Sequence, residues 1–201
     1  MAELNPDHGL IAGRGAILIN EPGAEPPTLQ ELVNFAADYS VLPANGWAPF
    51  GDMDPEDLPA FDADGGDFKT LSTWAFANVR QVQEDAKTSF FEANGIQFDN
   101  DTMRIYEGGG DETGTEIFWA PGNPIPTRAG VTVVAIDASI GRTVGYHAPL
   151  MSVTGNGGVE FQRDEWTQIP LKFTELLLPG KKGPHAWIGE GFGKPATVVG
   201  G

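Results

Sequence analysis

Residues 159–178, VEFQRDEWTQIPLKFTELLL, hold the longest run of clean strand period in the chain. From Thr167 onward, Ile169, Leu171 and Phe173 fall on one face, and Gln168, Pro170, Lys172 and Thr174 fall on the other. That is the alternation of a half-buried strand. Burying three such side chains is worth roughly 5–9 kcal/mol before entropy, at about 1.5–3 kcal/mol each, which puts this strand near the middle of a core. Pro170 has no N–H to give a ladder. One side of the strand is therefore unpaired at that point, which suits an edge, a bulge or a junction with something outside the fold.

A sheet needs more strands, and the composition supplies them. The chain has 201 residues, enough for one domain with a real core plus appendages, and 27 Gly with 16 Pro imply many turns and few long helices. The fold class expected is mainly β. Mean hydropathy is −0.20, as in a water-soluble globular chain. With no cysteine, a disulfide framework, a thiol nucleophile and a thiolate metal site are all excluded. The first ten residues, MAELNPDHGL, carry no basic region followed by an apolar run, and no apolar stretch is long enough to span a membrane. Twelve Lys and Arg stand against 28 Asp and Glu, a net charge of −16 that opposes the phosphate neutralisation on which nucleic-acid binding depends.

In chain order, residues 1–9 read as a polar arm. Ala16-Ile17-Leu18-Ile19 is a short strand ended by Glu21-Pro22-Gly23. Thr28-Leu29-Gln30-Glu31 has the form of a capping box, with Leu32, Phe35 and Ala36 following at helical spacing. Residues 47–70 lack any period and are dense in Gly, Pro and Asp, yet they carry Trp47, Phe50, Phe61 and Phe68, which favours an ordered loop packed on something. Strands are expected at 71–83 and 88–98. Asp99 to Asp101 cap a short helix closed by Gly108-Gly109-Gly110. Further strands follow at 116–119, 131–136 and 142–154, seven or eight in all. The division expected is one domain over 1–178 and a Gly-rich extension over 179–201 that leaves it as an arm.

Motifs for chemistry are sparse. His8, His147 and His185 are scattered, with no His pair at helical spacing, so surface or turn positions are the plain reading. No nucleophile elbow occurs, and Gly193-Lys194 is followed by Pro195 where a phosphate loop needs Ser or Thr. Asp62, Asp64 and Asp67 make a candidate calcium turn, but the glycine falls one residue early and no Glu closes the loop; an Asx/Gly turn is the alternative. Carboxylates near Asp54, Glu56 and Asp57 reflect an acidic composition and do not select a glycosidase. Trp74 and Trp166 lie inside apparent strands, where burial is the commoner fate of an indole. No cofactor is expected.

Four pieces in order carry a resemblance: Gly46-Trp47-Ala48-Pro49-Phe50-Gly51 leading to Asp57-Leu58-Pro59-Ala60-Phe61; Thr73-Trp74; Asn100-Asp101-Thr102-Met103-Arg104-Ile105-Tyr106-Glu107-Gly108; and Ile169-Pro170-Leu171-Lys172-Phe173. Together, over roughly residues 12–178, the chain resembles the major tail (tail tube) proteins of long-tailed, non-contractile bacteriophages of actinobacteria. The resemblance implies a β-sandwich or barrel-like tail tube fold flanked by a short helix. It also implies a non-enzymatic virion protein, made in the host cytoplasm, that self-assembles into hexameric rings stacked as a tube. Its partners would be other copies and the tape measure, tail terminator and distal tail proteins. DNA would pass through the lumen without specific binding, and no membrane would be involved.

Elementary physics meets that reading. Exposed sheet edges are hazards unless paired, and joining sheets across subunits closes them. A wall of carboxylates repels phosphates over about a Debye length, some 8–10 Å at ordinary ionic strength. The interface residues expected are Trp47, Phe50, Leu58, Phe61, Phe68, Trp74, Trp166 and Pro170, on the edge strands 71–83 and 159–178 and the loop 47–70, and the N-terminal arm is expected to form a further contact. The alternative from another class is a carbohydrate-binding or adhesin-like β-sandwich using exposed Trp and calcium; a carboxylate-pair hydrolase is the third.

Overall fold

A computed structural model describes residues 9–112, 116–190 and 192. Residues 1–8 of the expected arm, His8 with them, lie outside the described residues. So do 193–201 of the expected extension, with Gly193-Lys194. In chain order the elements are β1 (Arg14–Asn20), α1 (Leu29–Ala37), β2 (Ala48–Pro49), β3 (Ala60–Asp64), β4 (Phe68–Leu71), β5 (Arg80–Gln83), β6 (Thr88–Gly95), α2 (Asn100–Glu107), β7 (Asp111–Glu112), β8 (Phe118–Trp119), β9 (Thr127–Asp137), β10 (Arg142–Gly155), β11 (Ile169–Glu175) and β12 (Ala186–Ile188). The fold is mainly β, with more and shorter strands than the period alone suggests. The chain forms two compact units, one of Met1–Gly51, Ala129–Leu150 and Leu178–Gly201, the other of Asp52–Arg128 and Met151–Leu177.

In the first unit the strand order is β2-β1-β9-β10, and β12 pairs β10 at Gly145–His147. Strand β9 is buried along nearly its whole length, as its continuous apolar run predicts. Leu18, Val134 and Ile136 of its sheet pack with Leu32, Phe35 and Ala36 of α1 and with Trp47. Helix α1 starts where the sequence says it should. The Thr28 hydroxyl accepts from the Glu31 N–H, and the Glu31 carboxylate accepts from the Thr28 N–H at 2.7 Å and the Ala44 N–H at 3.1 Å. That one carboxylate thus fixes both the helix start and the chain leading into Trp47. Asn45 and Gly46 turn there with φ of 66° and 85°, conformations that Asn and Gly adopt at least cost.

In the second unit the order is β10-β11-β6-β3, all antiparallel. Alternation decides the faces. Ile169, Leu171 and Phe173 are fully buried with Phe91, and the Phe91 and Phe173 rings stack at 4.4 Å. Strand β11 is therefore central, as expected, and it has strands on both sides, which overturns the edge alternative, while the ladder to β10 ends at Leu171 and leaves Pro170 without a ladder partner on that side, as its missing N–H requires. Pro170 is tolerated because its missing N–H faces the point where β10 has just ended: its carbonyl accepts there from Asn156, the first residue of the turn. Helix α2 is capped by the Asp99 side chain and closed by Gly108 in the left-handed region. Tyr106 of α2 lies so close to Gly155 that a Cβ there would meet its ring at 2.9 Å.

The run 71–83 is not one strand. β4 and β5 pair as a separate hairpin, registered from Phe68↔Gln83 to Leu71↔Arg80, with a tip at 72–79 in which Asn78 takes a φ of 58°. The segment after Pro179 also differs from the expected departing arm. It turns back, adds β12 to β10 and packs Ile188 against the first unit's core.

Candidate assembly interface

The expected interface residues separate into two groups. Trp47 and Phe50 are core residues, 2% and 7% exposed, and are corrected as such. The Trp47 indole meets the His147 ring edge-on at 5.6 Å, and the Phe50 N–H donates to the Ile17 carbonyl at 2.8 Å. These contacts join residues far apart in sequence, so composition around 47–50 gives no hint of them. Pro170 is likewise inside a sheet. Leu58, Phe61, Phe68, Trp74 and Trp166 are exposed, and Trp74 and Trp166 overturn the expectation that they are buried.

The hairpin concentrates this exposure. Every residue from 67 to 88 is exposed, and Phe68, Leu71, Trp74, Phe76, Val79 and Val82 are large apolar members of that stretch. The tip is ordered by its own polar atoms: the Thr73 N–H donates to the Phe76 carbonyl at 2.8 Å, the Phe76 N–H to the Thr73 hydroxyl at 3.1 Å and the Asn78 N–H to the Ser72 hydroxyl at 3.0 Å. Trp74 and Phe76 are thus presented to water on a built turn. A single strand over 71–83 gives no reason to single out Phe76 and Val79; Asn78, a residue that tolerates a positive φ, is the signal of the break.

The other face of the second unit is polar. Register sets Asp62, Phe90, Thr174 and Ser152 in one row across the strands, and Ala60, Glu92, Lys172 and Thr154 in the next. These side chains face away from the buried Phe91 and Phe173 row. Lys172 Nζ sits 3.6 Å from the Phe90 ring centroid and 4.0 Å from Glu92, so the cation of this face is held by a ring and a carboxylate. Asp62, Asp64 and Glu92 leave the face net negative.

Asp62 and Asp64 lie in β3, and Gly65 and Gly66, with φ of 70° and 81°, turn the chain toward β4 ahead of Asp67. Asp62 accepts from the Ala63 N–H, and among the described residues no group of three or more His, Asp or Glu gathers as a metal site. Near Asp54, Glu56 and Asp57 the carboxylates tie the chain to the sheet. Gln168 donates to Asp54 at 2.5 Å, Asn94 donates to Asp57, and the Asp54 N–H donates to the Asn94 carbonyl.

His147 is not on the surface or in a turn, which corrects the expectation for it. It is 4% exposed in β10, with Nδ1 3.0 Å from the Thr132 hydroxyl. Burial, and then the charge of Lys181, lower its pKa from 6.5 to about 4, opposed by Glu25. The imidazole is thus neutral at pH 7, without the exposed, carboxylate-oriented setting of a catalytic base.

The family model described as phage tail tube protein matches residues 2–199. The Major tail protein Gp23 of Mycobacterium phage D29 is 27% identical over 192 residues, covering 94% of both chains. That of Mycobacterium phage L5 is 25% identical over 192 residues, again 94% of both. With a match over nearly its whole length, the chain belongs to the phage tail tube protein family, a family of structural tail proteins and not of enzymes.

Proposed function

We propose that this chain builds the phage tail tube by self-association into hexameric rings that stack, with an acidic bore through which the genome passes to the host. The observation that carries this is the hairpin of β4 and β5, whose aromatic tip is ordered yet wholly exposed. Apolar surface of that kind belongs against a partner. In this reading the hairpin tip, with Leu58 and Phe61, meets the adjoining ring, in place of the whole loop 47–70. Outer strand β3 joins the sheet of a neighbouring copy. The polar face with Asp62, Asp64 and Glu92 lines the bore, where its charge keeps phosphates from adhering. The tape measure, tail terminator and distal tail proteins are the further partners, and the host cytoplasm is the place of assembly.

Sedimentation and negative-stain microscopy of the purified chain test this. Rings or tubes are expected, and a monomer that persists at high concentration overturns the proposal. Replacing Trp74 and Phe76 by Ser is expected to leave rings that do not stack; unimpaired stacking removes the hairpin from the ring-to-ring contact.

A further inference from the structure

The hairpin tip needs a surface to receive it, and the second unit carries one at its far end. Strand β6 runs from Thr88 to Gly95, and its partners mark the two ends: Asp64 of β3 stands opposite Thr88, and Ile169 of β11 stands opposite Gly95. The β4–β5 hairpin, entered after Asp64 and left before Thr88, therefore springs from the Thr88 end. Residues 96–99 and the loop 156–168 lie at the Gly95 end, about 23 Å away along the strand at roughly 3.3 Å per residue. That end holds a second aromatic patch. The Phe98 and Phe161 rings stack at 6.2 Å and are 48% and 85% exposed, and Trp166 of the same loop is exposed too. The loop is closed by its own bonds: Glu160 bridges Gln168, and the Gln162 N–H donates to the Thr167 hydroxyl at 3.2 Å. Like the tip, this patch is held in shape and left open to water.

The two ends also differ in charge. Residues 68–83 carry Lys69 and Arg80 and no carboxylate, in a chain of net charge −16. Lys69 is engaged by Glu84 at 3.1 Å, so Arg80, exposed at the base of the tip, is the cation that the hairpin offers. The loop of the far end carries Glu160, Asp164 and Glu165 against Arg163, all exposed. An aromatic tip with a positive base thus lies at one end of the strands, and an aromatic patch with a negative rim lies at the other.

We propose that the hairpin tip of one copy seats on the Phe98–Phe161 patch of the next, with Arg80 toward Asp164 and Glu165, so that copies join head to tail along the strands of the second unit. The inference rests on the place given above to the hairpin in stacking, and it names the surface that the hairpin meets. Trp74 and Phe76 bring the apolar area, and the charges set the orientation. Tip against tip would set Arg80 against its own copy, and patch against patch would oppose two acidic loops; like charges so placed disfavour both pairings. Tip on patch joins unlike ends, and because every copy keeps one of each free, the contact propagates and does not stop at a pair.

The absence of cysteine makes a cross-linking test clean. Full-length Ala75→Cys and Gln162→Cys, both at exposed positions that leave the aromatic residues in place, are mixed, assembled and treated with a short bismaleimide, and the linked peptides are read by mass spectrometry. Links between positions 75 and 162 are expected, and in this mixture they can form only between copies. Charge exchange gives the second readout. Arg80→Glu, and separately Asp164→Lys with Glu165→Lys, should each raise the concentration for half-maximal stacking about tenfold, and all three together should bring it back to within about threefold of the unmodified chain. Tubes that form without the 75–162 link, links from tip to tip alone, or charge changes that fail to compensate overturn the proposal, while the hairpin's part in stacking is still decided by its Trp74→Ser with Phe76→Ser variant. A chain that stays monomeric at high concentration overturns this contact together with tube formation.

Discussion

Strand β9 and the β4–β5 hairpin are both rich in apolar residues and end in opposite states. Val131-Thr132-Val133-Val134-Ala135-Ile136 is buried almost throughout, between β1 and β10, with α1 and Trp47 packed over its Val134 and Ile136 face. Leu71-Ser72-Thr73-Trp74-Ala75-Phe76 is exposed at every position. Hydrophobic content alone does not decide burial. β9 has strands on both sides and a helix to cover it, whereas the hairpin is closed by backbone and hydroxyl hydrogen bonds that require no core. The first region is held by packing, and the second is held in shape by its own turn.

That contrast predicts a graded set of responses to substitution. The largest belongs to the core: Phe35→Ala should cost about 3–5 kcal/mol, read as a lowered midpoint in chemical denaturation. A loss under 1 kcal/mol would show that the α1 contact contributes little. Gly145→Ala comes next, because a Cβ there would lie 2.5 Å from Leu32 Cδ1; overpacking of this kind costs about 1–3 kcal/mol. Thr28→Ala removes the hydroxyl that accepts from the Glu31 N–H, an expected loss of about 0.5–2 kcal/mol in the same measurement.

The pH dependence of α1 is smaller. The Glu31 carboxyl is held below its ordinary 4.5, chiefly by the Thr28 N–H, then by the Thr28 hydroxyl and the Ala44 N–H. Its folded pKa is depressed, so its contribution is present above about pH 4.5 and is lost as pH falls through the lowered value. Glu31→Gln should therefore flatten the acid limb of the stability curve; an unaltered limb would remove Glu31 as its source. Least of all should Trp74→Ser with Phe76→Ser alter folding, within about 0.5 kcal/mol, although the same pair is expected to change assembly. A large loss of stability in that variant would break the comparison, since it would mean that the hairpin side chains already pack within their own chain.

What was legible in the sequence follows the same division. The two helices were readable because their signals are local: Thr28 with Glu31, Asp99 with Gly108. Strands β1, β9 and β10 were readable from apolar runs, and β11 from period. Trp47, Phe50 and His147 were not, because their burial depends on each other and on Ile17 and Thr132, which no local pattern connects. The inner position of Pro170 depends on where β10 stops, and the return of β12 on a Gly- and Pro-rich segment that reads as a tail. Of the residues expected at an interface, Leu58, Phe61, Phe68, Trp74 and Trp166 are exposed, the two indoles against the burial that their place in apparent strands suggests. The hairpin that presents Trp74 was hidden by reading through Asn78.

Strand β3 bears a final consequence. It is the outermost strand of its sheet and sets Asp62 and Asp64 on one face. Two copies laid together by a twofold axis through this strand would bring aspartates against aspartates, and like charges directly opposite are destabilising. A symmetric dimer sealed along β3 is thereby disfavoured, whereas a head-to-tail junction with a different strand carries no such penalty. Closed pairs are discouraged, and rotation from one copy to the next is left as the open course.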